Sequence, residues 1–196
     1  MMKKYTHIIL TLLVLLSLSS RAQQFVEDWD GAPNLERHQF TLNFIGPGIR
    51  YELGLFKNIS VSTSIAPGLA TYEEGYSFGL AWHTRVRYYH NFKTRYNYGM
   101  EIVGNSANYF GPARTVFWEP VQISHNLDGQ DNFSLAFYGG VYGWQRTNRK
   151  GFNSTIELGF GYYDGIGVDS GFGPLINFTF GWVPGSKKSD EIIKGY

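Results

Sequence analysis

From Phe40 onward, apolar residues recur at every second position, in runs separated by Gly, Pro, Asn and charged residues. A period of two is that of a β-strand with one apolar face. Phe40, Leu42 and Phe44 alternate with Thr41 and Asn43. After Gly46-Pro47-Gly48 the apolar set is Ile49, Tyr51, Leu53 and Leu55, alternating with Arg50, Glu52 and Gly54. The apolar parity flips from even to odd across that interruption. A tight hairpin produces the flip by pairing Phe44 with Ile49, Leu42 with Tyr51 and Phe40 with Leu53. A bulge in one long strand shifts parity as well. The hairpin is adopted because it makes the strand count even.

The same pattern continues to Val183. It predicts eight strands, at 38–45, 49–56, 59–71, 76–91, 107–118, 132–145, 152–163 and 174–183. The first two are shorter than the ~9–11 residues of a membrane-spanning strand. Pro112 belongs at an edge or a bulge, because it has no N–H for a ladder. The stretch 119–131 reads as a loop, or a loop plus a strand extension. Between 92 and 106 lies a longer connection, although Tyr96, Tyr98, Met100 and Ile102 alternate well enough for 96–104 to be a further strand.

The stretch "YSFGLAWHTRVRYY" (76–89) poses the question of which face is inside. Phe78, Leu80, Trp82 and Val86 lie on one face; Gly79, Ala81, His83, Arg85 and Arg87 lie on the other. Across the better strands the less apolar face carries Ser60, Ser62, Ser64, Ala66, Gly159, Gly161 and Gly181, with few charges. A face meeting water would be studded with Lys and Glu. Small residues with scattered charges of both signs fit a crowded lumen, where buried charges must pair. The opposite face, with long aliphatics and rings, fits lipid. Tyr51, Tyr72, Tyr76, Tyr88, Trp118, Trp144, Tyr162 and Trp182 fit interfacial girdles. The expected fold is all-β: a closed antiparallel up-and-down transmembrane barrel of eight strands, with a lumen filled by side chains. A soluble barrel is the competing reading.

The ends of the chain support export. Lys3 and Lys4, the apolar run Ile8–Leu18 and Ser20-Arg21-Ala22 make residues 1–22 a secretory signal peptide. Residues 23–37 read as a periplasmic lead-in, 38–183 as the barrel and 184–196 as a periplasmic tail. Losing Lys3, Lys4 and Arg21 from the 17 basic residues leaves 14 against 16 acidic ones, which points to no nucleic-acid partner. There are no cysteines, so there is no disulfide framework, no thiol nucleophile and no lipidated N-terminal cysteine. Charge in the connections is segregated. One set, 46–48, 72–75, 119–131 and 164–173, carries Glu73, Glu74, Glu119, Asp128, Asp131, Asp164 and Asp169 with no Lys or Arg. The other carries Lys57, Lys93, Arg95, Arg146, Arg149 and Lys150 against Glu101.

At "LNFIGPGIRYELGLFKNIS", "RVRYYHNFKTR", "GNSANYF" and the leader ending "AQQ", the sequence resembles small outer-membrane β-barrel proteins of the Bacteroidota, a largely uncharacterised group. The resemblance rests on Tyr51-Glu52 after a Gly-Pro segment and on Arg87-Tyr88-Tyr89 before a basic connection. It spans most of 38–183. It implies the fold and an outer-membrane location rather than an activity. "GPLINFTFGW" also looks like the aromatic signal read by the barrel-assembly machinery, which implies that partner during insertion. The tail after Val183 departs from that pattern and is too short for a peptidoglycan-binding domain.

The charged residues expected in the lumen are Arg50, Glu52, His83, Arg85, Arg87, Glu101 and Glu157. They read as an ion-pair network rather than a catalytic or ligand site, because buried charges must be paired whatever the function. His7, His38, His90 and His125 lack metal-ligand spacing. The Gly-rich runs lack P-loop spacing and its Lys. No cofactor or metal is implied. Ser154 with His90 or His125 is the nearest approach to a lipid hydrolase, without a nucleophile motif. The expectation is a non-enzymatic barrel with an envelope or surface-interaction role, in contact with outer-membrane lipid. The alternatives are a narrow channel or carrier for small or apolar ligands and, behind it, a lipid-modifying enzyme. Any small-molecule or surface ligand is unidentified.

Overall fold

Each of the eight predicted runs becomes a strand. The computed structural model describes residues 34–72, 75–125, 134–166 and 169–184. The expected leader, the lead-in up to residue 33, the tail from 185, and Glu73, Glu74, Asp128 and Asp131 lie outside the described residues. The strands are β1 (His38–Ile45), β2 (Gly48–Gly54), β3 (Ile59–Tyr72), β4 (Gly75–Tyr88), β5 (Asn108–His125), β6 (Ser134–Thr147), β7 (Phe152–Ile166) and β8 (Gly171–Trp182). A single short helix, α1 (Phe92–Asn97), lies between β4 and β5. All neighbours pair antiparallel, and β8 returns to β1, closing a barrel of eight strands in sequence order. Closure satisfies the edge hydrogen bonds that an open sheet leaves unmade.

The chain enters and leaves the barrel at one end, here called basal; the opposite end is distal. The wall is uneven. β3 and β4 pair along their full length, from Ile59↔Tyr88 to Tyr72↔Gly75. β1 and β2 are 8 and 7 residues long. β2 accompanies β3 only as far as Ile49↔Ile65. β8 meets β1 only from Phe180 to Trp182. The distal wall is therefore low above the β1–β2 turn.

That turn is a hairpin, but its register differs from the expected one. Leu42 faces Ile49 and Phe40 faces Tyr51, two residues displaced from the predicted pairs. Gly46 takes a left-handed φ of 60° and the loop is longer than a tight two-residue turn. On its other side β1 also has an irregularity against β8, between Asn43 and Ile45. The hairpin reading therefore holds, the bulge within one long strand does not, and the irregularity of β1 against β8 is a separate feature.

Two readings left open by the sequence are settled, and the placing of Pro112 is corrected. Residues 119–125 extend β5 to His125, with a large register break between Ala81↔Phe117 and Gly79↔Gln122 that takes up Trp118–Val121, including Pro120. A proline without an N–H fits such a break. Pro112 sits at no edge: it pairs with Gly140, while the β4–β5 ladder lacks partners at Val86 and Arg87 and resumes in register at Tyr88↔Phe110. The segment 96–104 is not a strand. It finishes α1 and then turns, with φ of 64° at Gly99, 60° at Gly104 and 52° at Asn105. Three left-handed residues in seven cannot form a pleated strand.

The faces are those of an inverted barrel. Phe172, Ile176 and Leu69 are 75%, 77% and 64% exposed, and Tyr51, Tyr76, Tyr88, Trp144, Tyr162 and Trp182 also face outward. The side chains of Tyr72 and Trp118 lie outside the described residues. Inside, the lumen has two tiers. The distal tier is apolar: Ala70, Ala81, Phe117 and Leu135 pack together, with Ala113, Phe137 and Val141 beside them. The basal tier is polar and charged.

Candidate functional site: a charged cluster closed by a basal plug

The polar tier is built by alternation. On β4, Arg85 and Arg87 share the inward parity of Ala81, and on β2 and β7 Glu52 and Glu157 do the same. All four are at most 2% exposed. Charges taken from water need both an opposite charge and further hydrogen bonds. Arg87 lies between the two carboxylates. Its Nη1 donates to Glu52 Oε2 at 2.9 Å and to Gln145 Oε1 at 3.1 Å; its Nη2 donates to Glu157 Oε1 at 3.2 Å. The guanidinium also lies 4.3 Å from the centre of the Tyr109 ring.

Each carboxylate then collects neutral donors. Glu52 Oε1 accepts from Ser60 Oγ at 2.7 Å, Tyr89 OH at 2.6 Å and Asn105 Nδ2 at 3.0 Å. Glu157 accepts from Tyr109 OH at 2.6 Å and Asn177 Nδ2 at 2.9 Å. Arg85 reaches Glu157 with Nε at 3.5 Å and donates from Nη1 to the Arg114 carbonyl at 2.9 Å. His83 stands above it, Nδ1 2.9 Å from Thr115 Oγ1 and 3.4 Å from Arg85 Nη2.

Two of the expected network residues stand differently. Arg50 is buried in the same tier but touches neutral oxygens: Thr155 Oγ1 at 2.8 Å, Asn153 Oδ1 at 2.7 Å and Thr41 Oγ1 at 3.3 Å. Glu101 is not in the lumen. It sits on the basal connection, partly buried, where Arg149 Nε lies 3.4 Å from its Oε2. Its alternation with Met100 and Ile102 carried no information, because that stretch is no strand.

The basal end is stoppered by the chain itself. Ile102 through Ala107 are buried, and Leu35, Tyr89, Phe92, Ile102, Ala107 and Tyr109 form one apolar cluster. Glu36 fastens this plug: its N–H donates to Asn105 Oδ1 at 2.8 Å, and its Oε1 accepts from the Gly104 N–H at 2.8 Å. The end of the lead-in, read from sequence as lying before the barrel, is thus packed into it. Small residues make room for the rings. A Cβ at Gly143 would collide with Tyr109, and one at Gly104 with Thr147.

Sequence reasoning missed Tyr89, Tyr109, Gln145, Asn105 and Asn177 as members of the cluster. Strand parity could have found Gln145 and Asn177. Asn105 comes from an irregular loop and left no periodic signal. Ser154 lies on β7, His90 follows β4 with Nε2 3.1 Å from Tyr142 OH, and His125 ends β5 at the far end of the barrel. These three do not form a nucleophile–base pair. Among the described residues no three His, Cys, Asp or Glu side chains gather as a metal site. No protein-family model, curated protein or solved structure matches the chain. Chemically, Arg85 and Arg87 balance Glu52 and Glu157, while Arg50 adds one cation held by neutral oxygens.

Proposed function

We propose that the chain is an integral outer-membrane barrel with a closed lumen and a non-enzymatic envelope or surface-interaction role. The observation that carries this reading is the inversion of faces. Arg85, Arg87, Glu52 and Glu157 are sealed inside, while Phe172, Ile176 and Leu69 point out. A water-soluble barrel does the reverse, and an outward apolar surface of this extent calls for a partner or a lipid phase. The resemblance to Bacteroidota barrels, the leader and the aromatic final strand support export and handling by the barrel-assembly machinery. Outer-membrane lipid is then the main partner.

Closure of the lumen by Arg87 and by the 101–107 plug supports a barrel that does not conduct. Purified protein in planar bilayers is expected to give no stable single-channel steps. Migration on gels with and without boiling, together with membrane fractionation, tests the location. The expected result is a membrane-bound protein whose mobility shifts on boiling; a soluble protein with no shift contradicts it. A carrier of apolar ligands is the second reading. It is favoured by the apolar distal tier around Ala81 and Phe117 and by the low wall above the β1–β2 turn. Saturable binding of a lipophilic dye, lost when Ala81 is enlarged to Phe, would promote it.

A further inference from the structure

A pocket of about 570 Å³ opens on the outside of the basal rim, apart from the lumen cluster. Arg95, Arg146 and Arg149 line it with Glu101, and Phe152 and Phe180 form part of its wall. The two rings are stacked with centroids 6.0 Å apart. Three cations thus share one carboxylate. Their existing contacts leave capacity: Arg95 Nη2 donates to the Glu101 carbonyl at 2.9 Å, and Arg146 Nη2 donates to Asn108 Oδ1 at 2.6 Å. Arg95 Nε and Glu101 Oε1 are both buried without a hydrogen-bond partner. Guanidinium donors beside a carboxylate in one open pocket suit a ligand that both donates and accepts. Burial holds the Arg95 pKa below the usual arginine value, with the Glu101 charge opposing the shift.

We propose that this pocket holds the headgroup of a phosphatidylethanolamine, its phosphate on Arg95, Arg146 and Arg149 and its ammonium beside the Glu101 carboxylate. Guanidinium groups match phosphate oxygens with paired donors. Phe152 and Phe180 continue up the apolar outer wall, where the acyl chains lie. The leaflet placement rests on the membrane reading proposed above; the headgroup chemistry does not.

The test uses the detergent-solubilised full chain, titrated below the micelle concentration with dihexanoyl phosphatidylethanolamine, the corresponding phosphatidylglycerol and phosphatidylcholine, and inorganic phosphate. Binding is read by calorimetry or native mass spectrometry. The ethanolamine lipid is expected to bind tightest. Arg146→Gln should weaken every phospholipid about tenfold or more. Glu101→Gln should erase the preference for ethanolamine while phosphatidylglycerol still binds. Inorganic phosphate binding as tightly as the lipid, or indifference of the ethanolamine lipid to both variants, overturns the proposal. A chain that fractionates as soluble yet binds the short lipid overturns the leaflet placement and leaves the headgroup site standing. A membrane-inserted chain that binds none of the probes overturns the site alone.

Discussion

Arg87 on β4 and Glu52 on β2 meet inside the barrel at 2.9 Å, although β3 stands between their strands in the wall. Their contact lies across the lumen side of β3, beneath Ser60, whose hydroxyl donates to the same carboxylate. A small residue at 60 leaves the space for it. The pair, with Glu157 completing the bridge, makes the polar tier a solid layer.

Replacing Arg87 by Met leaves Glu52 and Glu157 buried without the cation they share. The expected cost is about 3–5 kcal/mol, the range for breaking a buried pair from one side. Urea unfolding of the purified barrel, followed by tryptophan fluorescence, measures it. Removing Glu52 and Arg87 together, as Glu52→Gln with Arg87→Met, should cost less than the sum of the singles.

Gly143→Val should destabilise by about 1–3 kcal/mol through overpacking, since its side chain meets the Tyr109 ring. Shortening that ring as Tyr109→Leu in the same chain should recover part of the loss. Equal costs with and without the second change would mean that the two sites do not compete for space.

The alternation that built the eight strands was legible, and so was the inward set. Residues such as Ser60, Ala81 and Gly161 are too small, and too rarely charged, to cover a watery surface. The charged members of the tier, Glu52, Arg85, Arg87 and Glu157, followed from the same parity. What lay outside the pattern is what departs from the pleat. The hairpin register was displaced because its last pair is Asn43↔Gly48, which leaves more than two residues in the loop, with Gly46 in left-handed backbone. The plug was invisible because Gly104 and Asn105 take left-handed backbone and their burial depends on Glu36 and Thr147, far away in sequence. Periodicity reports a wall; it does not report what the chain folds back into it.

Glu36→Ala removes the acceptor of the Gly104 N–H and loosens the plug, leaving the backbone bond to Asn105 in place. The expected effect is local: faster amide hydrogen exchange over 101–107, with the β6–β7 ladder unchanged. Loss of protection throughout the barrel would show instead that Glu36 supports the whole fold.

Ser154→Ala is expected to leave the protein unchanged in a phospholipid-hydrolysis assay, because wild type should show no turnover. Turnover in wild type that disappears in the variant would establish an enzyme and end the structural reading.

The face choice is the centre of the account, and the cysteine-free chain lets it be measured directly. Single cysteines on β7 at 156, 158 and 160, and at 153 and 155, would carry nitroxide labels on protein refolded into vesicles. Collision rates with oxygen and with a water-soluble nickel chelate report lipid and water. The expected result is high oxygen and low nickel accessibility at 156, 158 and 160, with 153 and 155 shielded from both. Nickel collisions dominating at 156, 158 and 160 would place that face in water and contradict the membrane barrel.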